Sequence, residues 1–162
     1  MIIKSRNQLS ETATRTSLSF PEVAGTGVIR WQNPNGLNAD WALQIGETGE
    51  EQTEVVLLSS STTAGTAGTL TANTLYDHPA NTPIYGIKYD QVVFEVSTAG
   101  TAGTAAPITS GTISYQADNL YTIFDHTTGS ESYAYRTYYR NSGLNATTIE
   151  SDWITSAGFS FY

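Results

Sequence analysis

Glycine, proline and asparagine interrupt this chain about every ten residues, and the segments between them are short runs of alternating hydrophobicity. Strands of that length and spacing are typical of β-sandwiches and small barrels, and helical periodicity is nearly absent. Twenty-five threonines and the valine- and tyrosine-rich runs also favour pleated strands. We therefore expect an all-β protein, with a β-sandwich or small barrel as N-terminal domain and a smaller β unit after it.

The chain contains no cysteine, so disulfide bonds and thiolate metal sites are excluded as sources of stability. Its 162 residues suffice for one ordinary domain or two small ones. Aromatic residues make up 11% of the chain, including ten tyrosines and three tryptophans, so hydrophobic packing has the large side chains that it needs.

Fifteen acidic and seven basic residues give the chain a formal net charge of −8. This charge repels nucleic-acid phosphates and anionic lipids, so we expect neither nucleic acid nor a membrane as a partner. The N-terminal segment lacks the apolar core of a signal peptide, and no apolar run has the length of a membrane span. We therefore expect synthesis in a cytoplasm.

The N-terminal segment, residues 1–16, carries Lys4, Arg6 and Arg15 against the single Glu11. A short basic, threonine-rich segment has little apolar surface with which to fold on itself. We therefore predict a flexible arm that reaches a neighbouring subunit.

The rest of the chain divides into three segments on the pattern of its hydrophobic runs. Residues 17–97 are predicted to form the β-rich N-terminal domain, residues 98–106 a linker or crossover, and residues 107–162 the smaller β unit. Formal charge does not mark a boundary, because both halves of the chain are acidic.

The heptapeptide TAGTAGT occurs twice, at residues 63–69 and 98–104. It contains no side chain that ionises or binds a metal, so its role must come from backbone shape. Each copy follows a strand that contains Val-Val, and its glycines suit an extended connection. We predict that the first copy is a hairpin tip and the second the crossover into the C-terminal unit.

Two further patterns predict local structure. The runs VIRWQN (28–33) and DWALQIG (40–46) flank an Asn-Gly turn signal, which predicts that they pair as a hairpin. In the strand 132–140, period-two geometry divides the side chains between two faces. The core face is predicted to carry Tyr133, Tyr135 and Tyr139, and the other face Arg136, Tyr138 and Arg140.

The residues that most resemble a reactive site are two histidines, His78 and His126, each preceded by an aspartate. Neither has a third metal ligand or a nucleophilic serine motif at a recognisable spacing, so we interpret both as hydrogen-bonded turn residues. An acidic cluster is interpreted as a solvated turn, and it consists of Glu47, Glu50, Glu51 and Glu54. We therefore predict no catalytic residue, no cofactor and no metal, and expect that the chain is not an enzyme.

The segment YAYRTYYRNSGLNATTIESDW (133–153) resembles the last two strands of a fibronectin type III or related immunoglobulin-like sandwich. In those domains a tyrosine-rich strand ends in an Asn-Ser-Gly turn, and the next strand leads to a tryptophan. This resemblance implies an immunoglobulin-like or fibronectin-like C-terminal unit.

More broadly, the chain resembles structural proteins of tailed bacteriophages and prophages. The stretches that carry this resemblance are WALQIGETGEEQTEVVLL (41–58), LTANTLYDHPANTPIYGIKYDQVVF (70–94) and ESDWITSAGFSFY (150–162). It implies a non-enzymatic virion component, a capsid decoration or head-to-tail connector protein that binds capsid, neck or tail subunits. It also implies synthesis in the host cytoplasm, a place in the virion and a homo-oligomer in the particle.

Exposed basic residues and one tryptophan are the candidates for such contacts. The candidate interaction residues are Lys4, Arg6, Arg15, Arg136, Arg140 and Trp153. A second hypothesis is a carbohydrate-binding or adhesion module, in which exposed tyrosine and tryptophan rings stack on glycans. Trp31 and Trp41 have the alternation of core residues, so Trp153 is the tryptophan that we expect at the surface.

Overall fold

The computed structural model describes residues 1–7, 11–33, 42–59, 65–99, 106–142 and 146–150. Within these ranges the chain forms twelve β-strands and no helix, which confirms the all-β class. The strands are β1 Ile2–Arg6, β2 Glu11–Ser17, β3 Val28–Arg30, β4 Ala42–Ile45, β5 Glu54–Leu57, β6 Ala67–Thr69, β7 Pro83–Ile87, β8 Gln91–Ser97, β9 Ala106–Ser114, β10 Tyr121–Asp125, β11 Ala134–Asn141 and β12 Ala146–Glu150.

The N-terminal unit is built from β2 to β7. Strands β2, β7, β4 and β5 form an antiparallel sheet in that order, while β3 pairs with β6. A bridge between Leu58 and Leu70 extends β5 toward β6 and so links the two sets of strands. Their shared core consists of Leu18, Ile29, Trp31, Leu43, Ile45, Val56, Leu58, Leu70 and Ile84.

The C-terminal unit combines β8 to β12 with the first strand of the chain. Strands β12, β11, β8 and β9 form an antiparallel sheet in that order, and β1 pairs with β10. Its core is rich in rings, and consists of Ile3, Tyr89, Val92, Phe94, Tyr115, Ala117, Phe124, Tyr135 and Tyr139. The rings of Phe94 and Phe124 stack with centroids 5.4 Å apart, which joins the β1–β10 pair to β8.

Strand β11 shows the alternation that its sequence predicts. Tyr135 and Tyr139 are buried, and Tyr133 packs partly buried against the same core. The intervening side chains of Arg136, Tyr138 and Arg140 are half-buried on the other face. This prediction of the two faces is confirmed.

The first TAGTAGT copy contributes a strand to the N-terminal unit, since its residues Ala67–Thr69 form β6. Gly68 lies against the indole ring of Trp31, and a Cβ at this position would approach Leu58 Cδ2 to 2.6 Å. The Trp31 Nε1–H donates to the Gly65 carbonyl at 3.1 Å. The antiparallel bridge between Leu58 and Leu70 agrees with the predicted hairpin connection, and the glycines also let the backbone lie on a buried tryptophan.

The predicted hairpin of residues 28–33 with residues 40–46 is wrong. Strand β3 pairs with β6, and β4 pairs with β5 and β7. The Asn-Gly turn signal and Trp41 lie outside the described residues. An Asn-Gly turn signal depends only on neighbouring residues. The partner of each strand depends on the side chains that together complete the core.

The predicted boundary between the two units is also wrong. The prediction places β8 in the N-terminal domain, but this strand pairs with β9 and with β11 of the C-terminal sheet. The segment between β8 and β9 therefore connects adjacent antiparallel strands of one sheet rather than two units. The physical reason is that Val92 and Phe94 are buried in the ring-rich core.

The predicted flexible arm of residues 1–16 is wrong for the segments that the structure describes. Residues Ile2–Arg6 form β1 and residues Glu11–Ser17 form β2, which pairs with β7. In β1 the side chains of Ile3 and Ser5 are buried, so this strand alternates although its sequence is mostly polar. Few apolar residues are needed because β1 covers an existing core.

Candidate binding face

The pair formed by β1 and β10 has one buried and one outward side. Its buried side chains are Ile3, Ser5, Thr122 and Phe124. The outward side chains form three cross-strand pairs, Ile2 with Asp125, Lys4 with Ile123 and Arg6 with Tyr121. We call this surface, together with the adjoining residue Leu120, the ribbon face.

The ribbon face exposes large apolar side chains. The exposed fractions are 53% for Ile2, 64% for Leu120, 43% for Tyr121 and 41% for Ile123. Single exposed apolar residues are normal on proteins, but here strand pairing places several side by side. Contiguous apolar surface of this kind is typical of interaction sites.

The same face carries positive charge. The Lys4 ammonium lies 6.0 Å from the centroid of the Tyr121 ring, at the outer limit of a cation–π contact. Arg6 is exposed opposite Tyr121. The ribbon face therefore combines basic and exposed apolar side chains.

Asn7 fixes the end of the ribbon. Its side-chain amide donates to the carbonyls of Gln116 at 2.6 Å and Asn119 at 2.8 Å. Its side-chain oxygen accepts from the buried Thr122 hydroxyl at 2.7 Å, and its backbone N–H donates to the Leu120 carbonyl at 2.9 Å. The ribbon face is therefore a pre-organised surface, which lowers the ordering cost of binding.

An acidic turn, residues 46–53, lies beside the ribbon face. Gly46 and Gly49 have φ angles of +100° and +89°, a region that glycine adopts readily. The Gly49 N–H donates to the Ala117 carbonyl at 2.8 Å, and a Cβ at Gly49 would approach Leu120 Cδ2 to 2.7 Å. The turn therefore adjoins the Leu120 end of the ribbon face.

The acidic cluster that was predicted to be solvated divides in the structure. Glu47, Glu50 and Glu51 are exposed in the turn, as predicted. The prediction is wrong for Glu54, which is buried in β5 at 6% exposure. Its carboxylate accepts from the Leu75 N–H at 2.9 Å and lies 2.7 Å from His78 Nε2, and these contacts replace solvent.

The six predicted interaction residues do not form one site. Lys4 and Arg6 lie together on the ribbon face. Arg15 lies on β2, and its Cζ atom is 4.9 Å from the centroid of the Tyr85 ring. Trp153 lies outside the described residues.

The two remaining arginines lie on the outer face of β11. Arg136 is opposite Glu95 on β8 and forms a salt bridge with it, so this guanidinium already has an internal partner. Arg140 is half-buried on the same face. Of the six predicted residues, Lys4 and Arg6 are the two that lie on the ribbon face.

Both histidines are hydrogen-bonded, as predicted, but His78 lies in a β-bridge with Glu22 rather than in a turn. His78 is buried against Glu54, and its backbone pairs with Glu22 through hydrogen bonds of 2.8 and 2.9 Å. His126 Nδ1 lies 3.2 Å from the Tyr135 hydroxyl, and its Nε2 lies 3.1 Å from the Thr128 hydroxyl. These contacts hold loops to strands.

Burial lowers the pKa of His126 below its ordinary value, because it disfavours the charged imidazolium. The amino terminus lowers the pKa further, while Asp125 opposes the shift. His126 is therefore held in its neutral form, in which it packs on Phe124 at 6.1 Å between centroids.

A cavity of about 250 Å³ lies where β5 meets the C-terminal unit, with Glu54 and Asp90 in its lining. The Asp90 oxygens accept from the Ser142 N–H at 2.7 Å and the Ser142 hydroxyl at 2.5 Å. Both acids are thus engaged by the protein itself. In the part of the chain that the structure describes, no cluster of three or more histidines, cysteines or acidic residues is arranged to hold a metal.

Sequence reasoning missed the apolar half of the ribbon face. The strand LYTIFDH gave a usable signal, since Asp125 shares a face with Tyr121 and Ile123, and an aspartate marks the solvent side of a strand. The same alternation assigns Thr122 and Phe124 to the interior, as observed.

None of the described elements is a helix long and apolar enough to cross a membrane. Comparison of the chain with protein-family models, with curated proteins and with solved structures finds no match.

Proposed function

We propose that this chain is a non-enzymatic structural component of a tailed-phage virion, which binds capsid, neck or tail neighbours as a decoration or head-to-tail connector protein. The observation that carries the proposal is the ribbon face, where exposed apolar side chains adjoin Lys4 and Arg6 on a firmly held pair of strands. A surface of this composition suits stable contact with another protein. The resemblance to phage structural proteins supplies the class of partner.

The interior polar groups support a structural role. Glu54, Asp90, His78 and His126 are each hydrogen-bonded to other protein groups. The bonds of Glu54, His78 and Asp90 join residues 21 to 52 positions apart in sequence. A catalytic acid or base must come within hydrogen-bond reach of its substrate, and these four side chains are at most 9% exposed. Here the bonds of these groups serve to hold the fold together.

We further propose that the C-terminal unit is an immunoglobulin-like sandwich. The β1–β10 pair lies face to face with the sheet of β8, β9, β11 and β12. The hydroxyl oxygens of Ser5 on β1 and Thr137 on β11 are 3.1 Å apart and hydrogen-bonded. Rings fill the space between the layers. An experimental structure in which these layers pack otherwise would contradict this assignment.

The alternative function is a carbohydrate-binding or adhesion module. Trp31 is 1% exposed and so unable to stack on a sugar. The observation that favours this alternative is the exposed ring of Tyr121 beside Lys4. An NMR titration with glycans would test it, and ring resonances of Tyr121 that do not shift would count against it.

The proposed function is tested by incorporation into particles. A tagged copy of the chain is expressed in cells that produce the phage, and the particles are purified on a density gradient. We expect the chain to sediment with tailed particles and to be visible on them by immunogold labelling. A chain that stays in the soluble fraction would overturn the proposal.

A matched pair of variants tests whether the ribbon face makes the contact. Ile123→Lys places a charge on the face, and Val23→Lys makes the same kind of change at a residue that is 66% exposed in the N-terminal unit. We expect Ile123→Lys to reduce incorporation at least tenfold and Val23→Lys to leave it unchanged. Circular dichroism of both variants checks that they fold.

A further inference from the structure

We propose that the outer edge of β1 binds an extended acidic segment of a neighbouring protein, which adds a third strand to the β1–β10 pair. This inference deepens the proposed function and rests on it, because it names the chemistry of the neighbour that meets the ribbon face. Its basis is the backbone edge of β1, the position of that edge in the C-terminal unit and the two basic side chains beside it.

The ladder between β1 and β10 determines which backbone groups of β1 face outward. Met1 and His126 exchange hydrogen bonds of 2.8 and 2.9 Å. At the other end of the ladder, the Asn7 N–H donates to the Leu120 carbonyl at 2.9 Å. In an antiparallel pair, such hydrogen-bonded positions alternate with positions whose N–H and C=O groups point away from the partner strand. The residues whose backbone groups point away from β10 are therefore Ile2, Lys4 and Arg6.

This outer edge of β1 is open in the part of the chain that the structure describes, where β1 pairs with β10 alone. The Arg6 carbonyl accepts from the Tyr139 hydroxyl at 2.6 Å, and the other outward groups have no hydrogen-bond partner among the described residues. The outer edge of β10 differs, because the Ile123 N–H donates to the Gln116 side chain at 3.2 Å. An edge with unpaired N–H and C=O groups is a template for another strand.

The open edge also lies at a gap in the layer that β1 and β10 form. Strand β1 lies over β11, because the hydroxyls of Ser5 and Thr137 are 3.1 Å apart. Strand β10 lies over β8, where the rings of Phe124 and Phe94 stack. Since β12 follows β11 in the four-stranded sheet, a strand added beside β1 would lie over β12. It would pair with one layer through its main chain and pack on the other, as extended peptides do at sheet edges.

The side chains beside the open edge set the chemistry of the added strand. Lys4 and Arg6 are two residues apart and lie on the outward side of β1, where Lys4 is half-buried and Arg6 is exposed. Alternate side chains of an added strand would lie next to them on the same side, and opposite charges on adjacent strands stabilise the pairing. The added strand is therefore one that carries acidic residues at alternate positions.

The acidic residue on the ribbon face, Asp125, does not change this preference. It lies on β10 opposite Ile2, so β1 separates it from the added strand. Adjacent strands are about 4.8 Å apart, which places the added strand about 10 Å from β10. Asp125 also forms a salt bridge of 3.2 Å with the Met1 amino group. The charges next to the added strand are thus those of Lys4 and Arg6.

A second copy of β1 is a poor occupant of the same edge. If two β1 strands paired antiparallel about Lys4, this residue would face its own copy, and Ile2 of each strand would face Arg6 of the other. Like charges directly opposite each other destabilise strand pairing, and a lysine on an edge strand hinders self-association. The edge therefore selects a strand of different sequence.

The test is an NMR titration of the isotopically labelled full chain with two blocked peptides that differ only in charge. In one peptide valine alternates with glutamate, and in the other valine alternates with lysine. We expect the glutamate peptide to slow hydrogen exchange of the Lys4 and Arg6 amides at least tenfold. The Ile3 and Ser5 amides, which bond to β10, are expected to exchange slowly with or without peptide. The lysine peptide is expected to leave all four amides unchanged.

Variants separate backbone pairing from charge. Lys4→Pro removes an N–H group of the open edge but no bond to β10, which is a position where edge strands tolerate proline. We expect this variant to bind the glutamate peptide at least tenfold more weakly than Lys4→Ala, which also lacks the charge. The double variant Lys4→Glu with Arg6→Glu is expected to prefer the lysine peptide. Circular dichroism checks the folding of each variant, and the double variant decides if Lys4→Pro does not fold.

Three results would overturn the inference. The first is a glutamate peptide that leaves the Lys4 and Arg6 amides unprotected at millimolar concentration, even if it shifts other resonances. The second is a folded Lys4→Pro variant that binds as tightly as Lys4→Ala, or a double variant that keeps the preference of the wild type. The third is protection of the same amides that rises with the concentration of the chain alone, because a second copy would then be the occupant.

The experiment separates this inference from the proposed function. A chain that enters particles but does not bind the glutamate peptide would retain the virion function and lose the strand addition. A chain that binds the peptide but never enters particles would retain the strand addition and lose the virion function.

Discussion

At the scale of single residues, the neighbours of Gly68 explain a glycine in the first copy of the heptapeptide. A Cβ at Gly68 would lie 2.6 Å from Leu58 Cδ2 and 2.8 Å from Trp31 Cζ3, closer than real Cβ atoms come to their neighbours. We expect Gly68→Ala to lower the free energy of unfolding by about 1–3 kcal/mol, since the buried indole must shift. Urea titration followed by fluorescence measures this loss.

The same heptapeptide offers the control, Gly65→Ala. A Cβ at Gly65 would have its nearest neighbour at 3.5 Å, an ordinary contact with the Ala67 carbonyl oxygen. We expect this variant to stay within about 1 kcal/mol of wild type. Equal losses in the two variants would show that Gly68 does not lie against Trp31.

A second prediction concerns pH and His126. Burial holds the pKa of this histidine below its ordinary value, so the unfolded chain binds the proton more readily than the folded chain. The contribution of neutral His126 to the free energy of unfolding is therefore fully present above the pKa that this histidine has in the unfolded chain. It is lost as the pH falls below that pKa. We expect the difference in free energy of unfolding between wild type and His126→Gln to shrink from pH 8 to pH 5, as measured by urea titration. A difference that stays constant would contradict the shift.

Residue positions were predictable where the signal is local. Alternation along β11 is a property of consecutive residues, and it correctly assigned Tyr135 and Tyr139 to the interior. The burial of Glu54 was not predictable, because its partners Leu75 and His78 lie 21 and 24 residues further along. Whether a carboxylate is buried or solvated depends on residues that are distant in sequence, and the local sequence does not identify them.

At the scale of elements, Glu54 connects a strand to a long loop. From β5 its carboxylate accepts from the N–H groups of Leu75 and Tyr76 and contacts His78. Leaving buried donors without an acceptor costs about 1–3 kcal/mol for each group. We expect Glu54→Ala to lower the free energy of unfolding by about 3 kcal/mol in urea titration.

Glu51→Ala is the matched control, since Glu51 is exposed in the adjoining turn. Its loss is expected to stay within about 0.5 kcal/mol. If Glu54→Ala lowers the free energy of unfolding no more than Glu51→Ala does, Glu54 is solvated as its sequence context suggests. Other contacts then hold the loop.

Strand pairing was the part of the fold that the sequence left open. The existence of most strands follows from alternation and turn residues, but β1 pairs with β10 across most of the chain and β3 pairs with β6. Such partners are selected by the core that they complete together. The ribbon face combines local and long-range information in the same way. Lys4 and Arg6 were identifiable from their charge, whereas their neighbours Tyr121 and Ile123 lie on β10, a strand distant in sequence.

At the scale of the whole molecule, the first strand belongs to the C-terminal unit. Ile3 on β1 is 8% exposed in the ring-rich core, and the Tyr139 hydroxyl donates to the Arg6 carbonyl at 2.6 Å. These contacts therefore join the first strand of the chain to the sheet that contains β11. Stability of the C-terminal unit requires residues that lie far from it in sequence.

Deleting residues 1–7 tests this dependence. Loss of a buried isoleucine alone costs about 2–5 kcal/mol, and the deletion also removes the β1 ladder and uncovers Phe124. Since about 1 kcal/mol shifts Tm by roughly 2–4 °C in a chain of this size, we expect the C-terminal unit to melt at least about 6 °C lower.

The two units are followed separately. Near-ultraviolet circular dichroism reports the tyrosines of the C-terminal core, and Trp31 fluorescence reports the N-terminal core once Trp41 and Trp153 are replaced by phenylalanine. We expect the deletion to lower the tyrosine transition more than the Trp31 transition, because β1 contributes no side chain to the first core. Equal shifts would show that both cores unfold as one cooperative unit. If neither transition changes, residues 1–7 contribute nothing to stability, as a flexible arm would.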